Sequence, residues 1–285
     1  MRLKLRKKTL DVKLTEREMQ AAYSHLFFKP PARIHNRVIQ EIGRSPYPEK
    51  DALLFENIND LLNPGYLPIE NGYAYLSDGS IFVSVLTNMP GITGEMIDWW
   101  FWWNPQDPLR YKIMYPQAHF GTSLEVDIRS FQKRSGPYHQ RLWNTTTYPV
   151  EDVGAGKDNV SMHFVPPERF GFNTSQFEKA DVATVLCAIV GSLKKKLKQH
   201  AFMCQFVRKT ENGVEIRSRC WIGHSILVNG IKEHSVLNRA INYKLVKRRI
   251  IPRKIGQTYC MHCAQEYSNL AEILPELYSD FAMSI

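Results

Sequence analysis

Histidine and glutamate side chains with the spacing of a metal site stand near the C-terminal end of the chain, as His262 and Glu266 in the segment TYCMHCAQEY. The residues from Cys260 to Ser284 have a helical pattern, with Pro275 as a break or kink. On a helix, side chains four residues apart lie on one face, one turn apart. An imidazole and a carboxylate placed in this way either bind one divalent metal ion together or form a surface hydrogen bond.

Two cysteines in the same segment, Cys260 and Cys263, suggest a different metal site. A C-x-x-C pair is half of a structural zinc site, but such a site needs a second pair of closely spaced ligands. The chain has five cysteines, and the other three are isolated at positions 187, 204 and 220. We therefore expect small buried thiols in a reducing compartment, neither a disulfide framework nor the nucleophile of a Cys–His pair.

A metal ion held by His262 and Glu266 would need further ligands from elsewhere in the chain. Among the other histidines, His119 stands out because it follows a dense aromatic block, WWFWWNPQDPLRYKIMYPQAHF. Glu151 lies in TYPVEDVGAG, after a proline and before a glycine-rich turn. Turns of this kind commonly present side chains into a cleft, so these two residues are candidates.

Four motifs occur in the order MIDWWFWWNPQDPLRYKIMYPQAHF, VEDVGAG, RSRCWIG and HCAQEY. Together they resemble the diacetylphloroglucinol hydrolase and phloretin hydrolase family, over residues 66 to 270. The resemblance implies a zinc-dependent hydrolase of carbon–carbon bonds, and its Zn²⁺ ligands would be His119, Glu151, His262 and Glu266. It also implies a small N-terminal region that can form a homodimer surface, joined to a Bet v 1-like domain.

The same resemblance suggests substrate contacts. Tyr111 matches a family tyrosine that holds a ring hydroxyl, and Thr122 stands where the family can carry asparagine, which leaves the identity of the acyl phenol open. From its position alone, near the end of the RSRCWIG strand, His224 would either supply a second polar contact or a proton or be a surface loop histidine. Glu151 would be either a metal ligand throughout or a general base. The predicted catalytic residues are therefore Glu151, Tyr111 and His224, and the predicted substrate contacts are Tyr111, Thr122 and His224.

The substrate implied by the resemblance is an acyl phenol, in which a ketone joins an acyl chain to a polyhydroxylated ring. Hydrolysis at the ring would release a carboxylic acid and the phenol, because a keto tautomer of the ring lets the departing carbon leave as an enolate or phenolate. Two other functions remain possible for this sequence. One is a zinc hydrolase of esters or amides, and the other is a Bet v 1-like module that only binds an apolar aromatic ligand. A module of that kind would not need the set of two histidines and two glutamates.

The elements that would position these residues follow from hydrophobic periodicity. Residues 1 to 65 form a small, mostly helical region, with Thr15 and Glu18 as a capping box for a helix over 14–26 and an amphipathic piece over 51–62. The rest, residues 66 to 285, contains the β-type segments, which are 72–89 around an SDGS turn, 110–115, 123–131, 160–166 and a hairpin over 202–223.

Two further segments of the second region are predicted to be helical. Thr93 caps a helix whose four tryptophans should be mostly core, with one or two lining an apolar cavity, and these are Trp99, Trp100, Trp102 and Trp103. Residues 177–197 are partly helical by pattern. The predicted class is α+β, with a mostly antiparallel sheet and a C-terminal helix. The resemblance implies that this is a Bet v 1-like domain, with the sheet curved around the helix.

Composition sets the remaining expectations. The chain has 285 residues, of which 44% are hydrophobic and 23% charged, as in ordinary globular proteins. Its net charge of +9 is concentrated at 193–198 and 244–254, where basic and apolar residues alternate as on a solvated face, so no nucleic-acid partner is expected. The N-terminal MRLKLRKKTLDVKL lacks a secretory pattern, and no apolar run reaches the ~18 residues of a membrane helix, so we expect a cytoplasmic protein without a membrane partner.

Overall fold

The computed structural model describes residues 12–282 of the chain. Residues 1–11, which are most of the basic N-terminal segment used for the cytoplasmic expectation, lie outside the described residues. So do residues 283–285, which include the predicted end of the C-terminal helix at Ser284. Within 12–282, no helix combines the length and the apolar character that crossing a membrane requires.

Short helices precede and interrupt a sheet, and one long helix ends the chain. The α-helices of the described part are α1 (Glu16–Met19), α2 (Asn36–Gly43), α3 (Gly94–Trp103), α4 (Pro108–Met114), α5 (Ile128–Gln132), α6 (Tyr138–Leu142), α7 (Val236–Ile241), α8 (Lys244–Ile250) and α9 (Ile255–Phe281). Its strands are β1 (Gly72–Tyr75), β2 (Ile81–Pro90), β3 (His119–Gly121), β4 (Thr145–Thr147), β5 (Val150–Glu151), β6 (Asp158–Val165), β7 (Val182–Ser192), β8 (Leu197–Thr210) and β9 (Gly213–Val228).

These strands pair antiparallel in a single sheet with the order β1-β2-β9-β8-β7-β6-β5-β3, and β4 pairs with β6. Helix α9 packs against one face of this sheet, over β1 and β2. The predicted α+β class, with an antiparallel sheet and a C-terminal helix, is confirmed, and the likeness to a Bet v 1-like domain stays a prediction. The hairpin predicted over 202–223 is also confirmed, as β8 and β9.

Each face of the central strands has its own apolar core, because side chains alternate along a strand. Val83 and Cys220 are register partners and lie in the core under α9. Their neighbours Phe82 and Trp221 are also register partners, and they lie in the second core. The predicted N-terminal region contributes side chains to both cores, and its separation as a dimerisation region stays a prediction.

Helix α1 begins as predicted but is short. The Thr15 hydroxyl accepts a hydrogen bond from the Glu18 backbone N–H at 3.2 Å, and the Glu18 carboxylate accepts one from the Thr15 N–H at 2.7 Å. The helix predicted over 14–26 ends at Met19 and is followed by a 3₁₀ segment, Ser24–Phe28. Helix α9, in contrast, continues through Pro275 without a break.

Three segment predictions were wrong. Of residues 110–115, predicted as a strand, all but the last lie in α4, which begins because Asp107 caps it and Pro108 occupies its first turn. Residues 123–131, also predicted as a strand, contain the start of α5. Residues 177–197, predicted as partly helical, contain β7, a strand between β6 and β8 that is buried on both faces. A continuous apolar run of this kind does not distinguish a buried strand from a helix.

Candidate active site

The four predicted metal ligands come from three elements. His119 on β3 and Glu151 on β5 are register partners in adjacent strands, and His262 and Glu266 lie one turn apart on α9. His119 is fully buried, and Glu266 is the most accessible of the four, with 12% of its side chain exposed. The sheet and the helix α9 therefore bring together two pairs of residues that are far apart in the sequence.

The ligand atoms of these residues converge. The Nε2 atoms of His119 and His262 are 3.2 Å apart, and Glu151 Oε2 lies 3.8 Å from each of them. Glu266 Oε2 lies 3.5 Å from His119 Nε2 and 3.6 Å from His262 Nε2. The ligand atoms of His119, Glu151 and His262 all lie within 4.8 Å of one another, and Glu266 Oε2 lies near both imidazoles.

These separations fit one metal ion. Four ligand atoms at about 2.0–2.2 Å from a tetrahedrally coordinated ion are about 3.3–3.6 Å apart, and the five separations above range from 3.2 to 3.8 Å. Two neutral imidazoles and two carboxylates also balance the charge of a divalent cation. The site can therefore hold such an ion with small adjustments of the side chains.

Tyr111 orients two of the ligands. The His119 Nδ1–H donates to the Tyr111 carbonyl oxygen at 3.0 Å, which leaves the Nε2 lone pair for a metal. That carbonyl is available because it lies in the last turn of α4, where carbonyl groups lack intrahelical donors. The Tyr111 ring stacks on the His119 imidazole with centroids 3.9 Å apart, and its hydroxyl donates to Glu151 Oε2 at 2.5 Å.

Burial dominates the electrostatics of the site. It lowers the pKa of His119 and of His262 to about 4, so both imidazoles are neutral at pH 7. Burial raises the pKa of Glu266 to about 7, and the negative charge of Glu151 adds to this effect. Burial also raises the pKa of Glu151, although His119 and the Tyr111 hydroxyl oppose the shift. Two carboxylates buried beside the same pair of imidazoles favour a proton or a cation at the site.

A cavity of about 50 Å³ lies beside the ligands. Tyr111, Glu151, His262 and Glu266 line its polar end, and the predicted substrate contact Thr122 also lines it. Most of the remaining wall is apolar, and it includes Trp100, Phe101, Met114, Met162 and Met203. An apolar cavity with a few convergent polar groups is the usual form of a small-molecule site.

His224 does not lie at this cavity, which corrects its predicted role as a substrate contact. Its ring lies 4.9 Å from that of Phe55 and 5.5 Å from that of Phe202, on the Trp221 side of β9. Regular alternation would have put it on the α9 side, but the pairing of β8 with β9 is irregular at this point, and Gly223 adopts a positive φ of 82°. An irregularity of this kind reverses which side chains face the core.

The cysteine alternatives have no support in the structure. Cys260 and Cys263 are both buried free thiols, and no group of metal-ligating side chains among residues 12–282 includes a cysteine. Burial raises the pKa of the Cys263 thiol well above its usual range, which disfavours the reactive thiolate.

Sequence reasoning missed several residues of the cavity wall. Tyr259 and Tyr267 line it from α9, and Asn104 lines it one helical turn after Trp100. The helical period counted from His262 would have indicated Tyr259, three residues earlier. For the four tryptophans the expectation was met, because Trp100 lines the cavity while the other three are core residues.

The sequence of the chain matches a known protein family. The model of the DAPG hydrolase PhiG domain matches residues 53–279. The chain is 29% identical to phloretin hydrolase of Eubacterium ramulus over 278 residues, which are 95% of this chain and 94% of that protein. It is 25% identical to 2,4-diacetylphloroglucinol hydrolase of Pseudomonas protegens over 260 residues, or 90% of this chain and 83% of that protein.

Solved structures are more distant. The crystal structure of Ara h 8.0201 is similar with a TM-score of 0.40 and 6% identity, over 70% of this chain and 99% of that chain. Ginseng major latex-like protein 151 from Panax ginseng has a TM-score of 0.33 and 9% identity, over 64% of this chain and 97% of that chain. Membership of a family therefore follows from the sequence match, which spans all four ligand positions: this chain belongs to the DAPG hydrolase PhiG domain family.

Proposed function

We propose that this protein is a zinc-dependent hydrolase that cleaves the carbon–carbon bond between an acyl group and a polyhydroxylated aromatic ring. The products would be a carboxylic acid and the phenol. The observation that carries the proposal is the convergence of His119, Glu151, His262 and Glu266 at the polar end of an apolar cavity. Relatives named for the hydrolysis of phloretin and of 2,4-diacetylphloroglucinol, both acyl phenols, support this kind of reaction.

Zinc is the proposed metal because imidazole and carboxylate groups are among its usual ligands, and the five separations given above suit ligand distances of about 2.0–2.2 Å. When bound, Zn²⁺ would supply a Lewis acid for the ketone oxygen and would make a water molecule more acidic. The neutral state of His119 and His262 at pH 7 suits this role, because no proton must leave either imidazole before it coordinates a metal.

Glu151 is the residue proposed to move the proton, and at this step it would leave the metal to His119, His262 and Glu266. Its raised pKa brings the carboxylate closer to neutral pH, where a general base works best. Oxygen from water adds to the ketone carbon, and a proton of that water passes to Glu151. The bond to the ring then breaks, and the ring carbon takes up the proton that Glu151 received, so that one water molecule is consumed overall. The Tyr111 hydroxyl donates a hydrogen bond to the Glu151 carboxylate, and both residues line the cavity in which the substrate would bind.

The proposal is tested by metal content and product analysis of purified wild-type protein and a His262→Ala/Glu266→Ala double variant. We expect about one zinc ion per wild-type chain, cleavage of phloretin or 2,4-diacetylphloroglucinol to the carboxylic acid and phenol, and loss of both properties in the double variant. The matched control is His25→Ala/Glu276→Ala, which removes a His–Glu pair of 2.9 Å that also involves α9 but lies at the surface.

The control variant should keep both zinc and activity. A metal-free wild type that zinc does not activate would contradict the proposal. Hydrolysis of phenyl esters without any cleavage of the ketones would also contradict it, and would indicate an ester hydrolase built on the same residues.

A further inference from the structure

Helix α3 buries three indole N–H groups that have no hydrogen-bond acceptor among the described residues. They belong to Trp99, Trp100 and Trp102, each of which has 0% exposure. A buried indole normally finds a partner for its N–H, because an unpaired donor in an apolar environment is costly.

The three indoles differ in their surroundings. Trp99 stacks on Trp103 with centroids 4.8 Å apart, and Trp102 packs against Tyr138 at 5.2 Å, so protein side chains enclose both. Trp100 lines the cavity beside the metal ligands. It is therefore the indole of the three to which a molecule in that cavity could bring an acceptor.

Asn104 provides a complementary group one turn later. Its side-chain NH₂ donates to the Trp100 carbonyl oxygen at 3.1 Å. Since a carbonyl oxygen only accepts, this bond fixes the orientation of the amide and leaves Oδ1 as an acceptor. Asn104 is buried and lines the same cavity, and no donor reaches its Oδ1 from within residues 12–282. Two residues that line the cavity thus carry a donor and an acceptor that the described part of the protein does not pair.

We propose that Trp100 Nε1–H and Asn104 Oδ1 bind two oxygens of the substrate ring. The inference rests on the proposed function and deepens it, because it names how the ring is recognised. An indole N–H donates a hydrogen bond but cannot accept one. It can therefore donate to the oxygen of a ring hydroxyl, and equally well to the carbonyl oxygen of the keto tautomer. Asn104 Oδ1 needs a ring O–H. Together they select a ring with at least two oxygens, of which one keeps its proton.

The direct test is NMR of the zinc-loaded full-length protein with ¹⁵N-labelled indoles. The chain has six tryptophans, so Trp→Phe variants can assign every indole signal. Phloroglucinol, the ring common to phloretin and diacetylphloroglucinol, is the probe, and phenol is the control ligand. We expect phloroglucinol to shift the Trp100 indole proton downfield and to leave those of Trp99 and Trp102 in place.

Matched variants provide the second readout. Trp100→Phe, Trp99→Phe and Trp102→Phe each remove one unpaired indole N–H and similar bulk from α3, but Trp100 alone among these three lines the cavity. We expect Trp100→Phe to weaken phloroglucinol binding about tenfold and the two controls to change it less than about twofold. Asn104→Leu should weaken it by a similar factor and should reduce the preference for phloroglucinol over phenol.

The outcomes separate this inference from the proposed function. If phloroglucinol binds without moving the Trp100 signal, or if Trp99→Phe weakens binding as much as Trp100→Phe, the recognition pair is wrong while the hydrolase proposal stands. If the protein neither cleaves acyl phenols nor binds phloroglucinol, both fail. If Trp100→Phe does not fold, the titration of the wild type still decides.

Discussion

Tyr111 makes three contacts in the candidate site. Its hydroxyl donates to Glu151, its ring stacks on the His119 imidazole, and its carbonyl oxygen accepts a hydrogen bond from the same imidazole. Tyr111→Phe removes the first and keeps the other two. We expect this variant to retain its zinc and to lose activity toward acyl phenols about 10- to 100-fold, the range seen when an outer hydrogen bond to a metal ligand is removed. Metal content and kcat measure the two effects.

Tyr115→Phe is the control, because the Tyr115 ring also lies beside both imidazoles, 5.6 Å from that of His119 and 5.0 Å from that of His262. Its hydroxyl has no hydrogen-bond partner in the described part of the chain, so we expect activity within about twofold of wild type. Loss of zinc from Tyr111→Phe would instead mean that the hydroxyl is needed to keep Glu151 in place.

Glu266 should make the stability of the metal-free protein depend on pH. Its pKa is raised from 4.5 to about 7, so between these values the folded protein holds a proton that the unfolded chain releases. Stability due to this group is present at low pH and is lost as pH rises through 7. Metal-free Glu266→Gln lacks the effect, so its advantage over metal-free wild type should grow from near zero at acidic pH to about 2–4 kcal/mol at alkaline pH.

Urea denaturation with a chelator, at several pH values between acidic and mildly alkaline, measures this difference. His119 and His262, whose lowered pKa values act with the opposite sign, are present in both proteins and largely cancel. A difference in unfolding free energy that does not change with pH would show that Glu266 titrates normally.

At the scale of elements, helix α4 positions Tyr111 beside the metal ligands. The Asp107 side chain caps it by accepting from the Leu109 N–H at 2.8 Å, and Asp127 caps α5 in the same way through the Ser130 N–H at 3.0 Å. Asp107→Ala and Asp127→Ala should each cost about 1 kcal/mol of unfolding free energy. Only Asp107→Ala should also weaken zinc binding, because the last turn of α4 holds the His119 imidazole.

Chelator competition for zinc and chemical denaturation test this pair of variants. Equal zinc affinities in the two proteins would mean that α4 keeps its position without its cap, for example through the Asn269 amide, which donates to the Met114 carbonyl oxygen at 3.0 Å.

The cavity wall contains three methionines, Met114, Met162 and Met203, and its volume of about 50 Å³ holds only a few water molecules. An acyl phenol can therefore bind only if side chains of the wall move and enlarge the cavity, and flexible methionine side chains allow this. Met162→Ile, on β6, should stiffen the wall and raise KM about 3- to 10-fold more for phloretin than for the smaller diacetylphloroglucinol.

Met89→Ile is the matched control, since Met89 is a fully buried strand methionine that does not line the cavity. It should change the KM values of both ketones equally. If Met162→Ile also changes them equally, the wall at Met162 does not adjust to the size of the acyl group.

The sequence predicted these elements unevenly, for physical reasons. The capping box of α1, the β8–β9 hairpin and α9 have strong local signals, and all are present. RYKIMY alternates like a strand, but the Asp107–Pro108 start signal of α4 was the better guide. The contact of His119 with Glu151 depends on the register of two very short strands, which no local pattern encodes. Only the resemblance to a known family predicted all four ligands together.

At the scale of the whole molecule, the candidate metal joins the sheet to the C-terminal helix, since His119 and Glu151 come from β3 and β5 and the other two ligands from α9. Removal of this ion would leave two buried carboxylates beside the same pair of imidazoles. A ligand at 100 to 1,000 times its Kd stabilises a protein by about 3–4 kcal/mol. For a chain of this size, we expect a chelator to lower Tm by about 5–10 °C.

Thermal unfolding of wild type and of His262→Ala/Glu266→Ala, each with and without chelator, measures this contribution. The double variant should have a Tm that the chelator does not change, because the ion is already lost. The control pair His25→Ala/Glu276→Ala, at the surface end of α9, should keep the full chelator effect. If the chelator strips zinc from the wild type and its Tm stays the same, the packing of α9 on the sheet holds the site together by itself. The metal would then serve the chemistry alone, because binding that adds no stability to the folded state cannot be what brings the two pairs of ligands together.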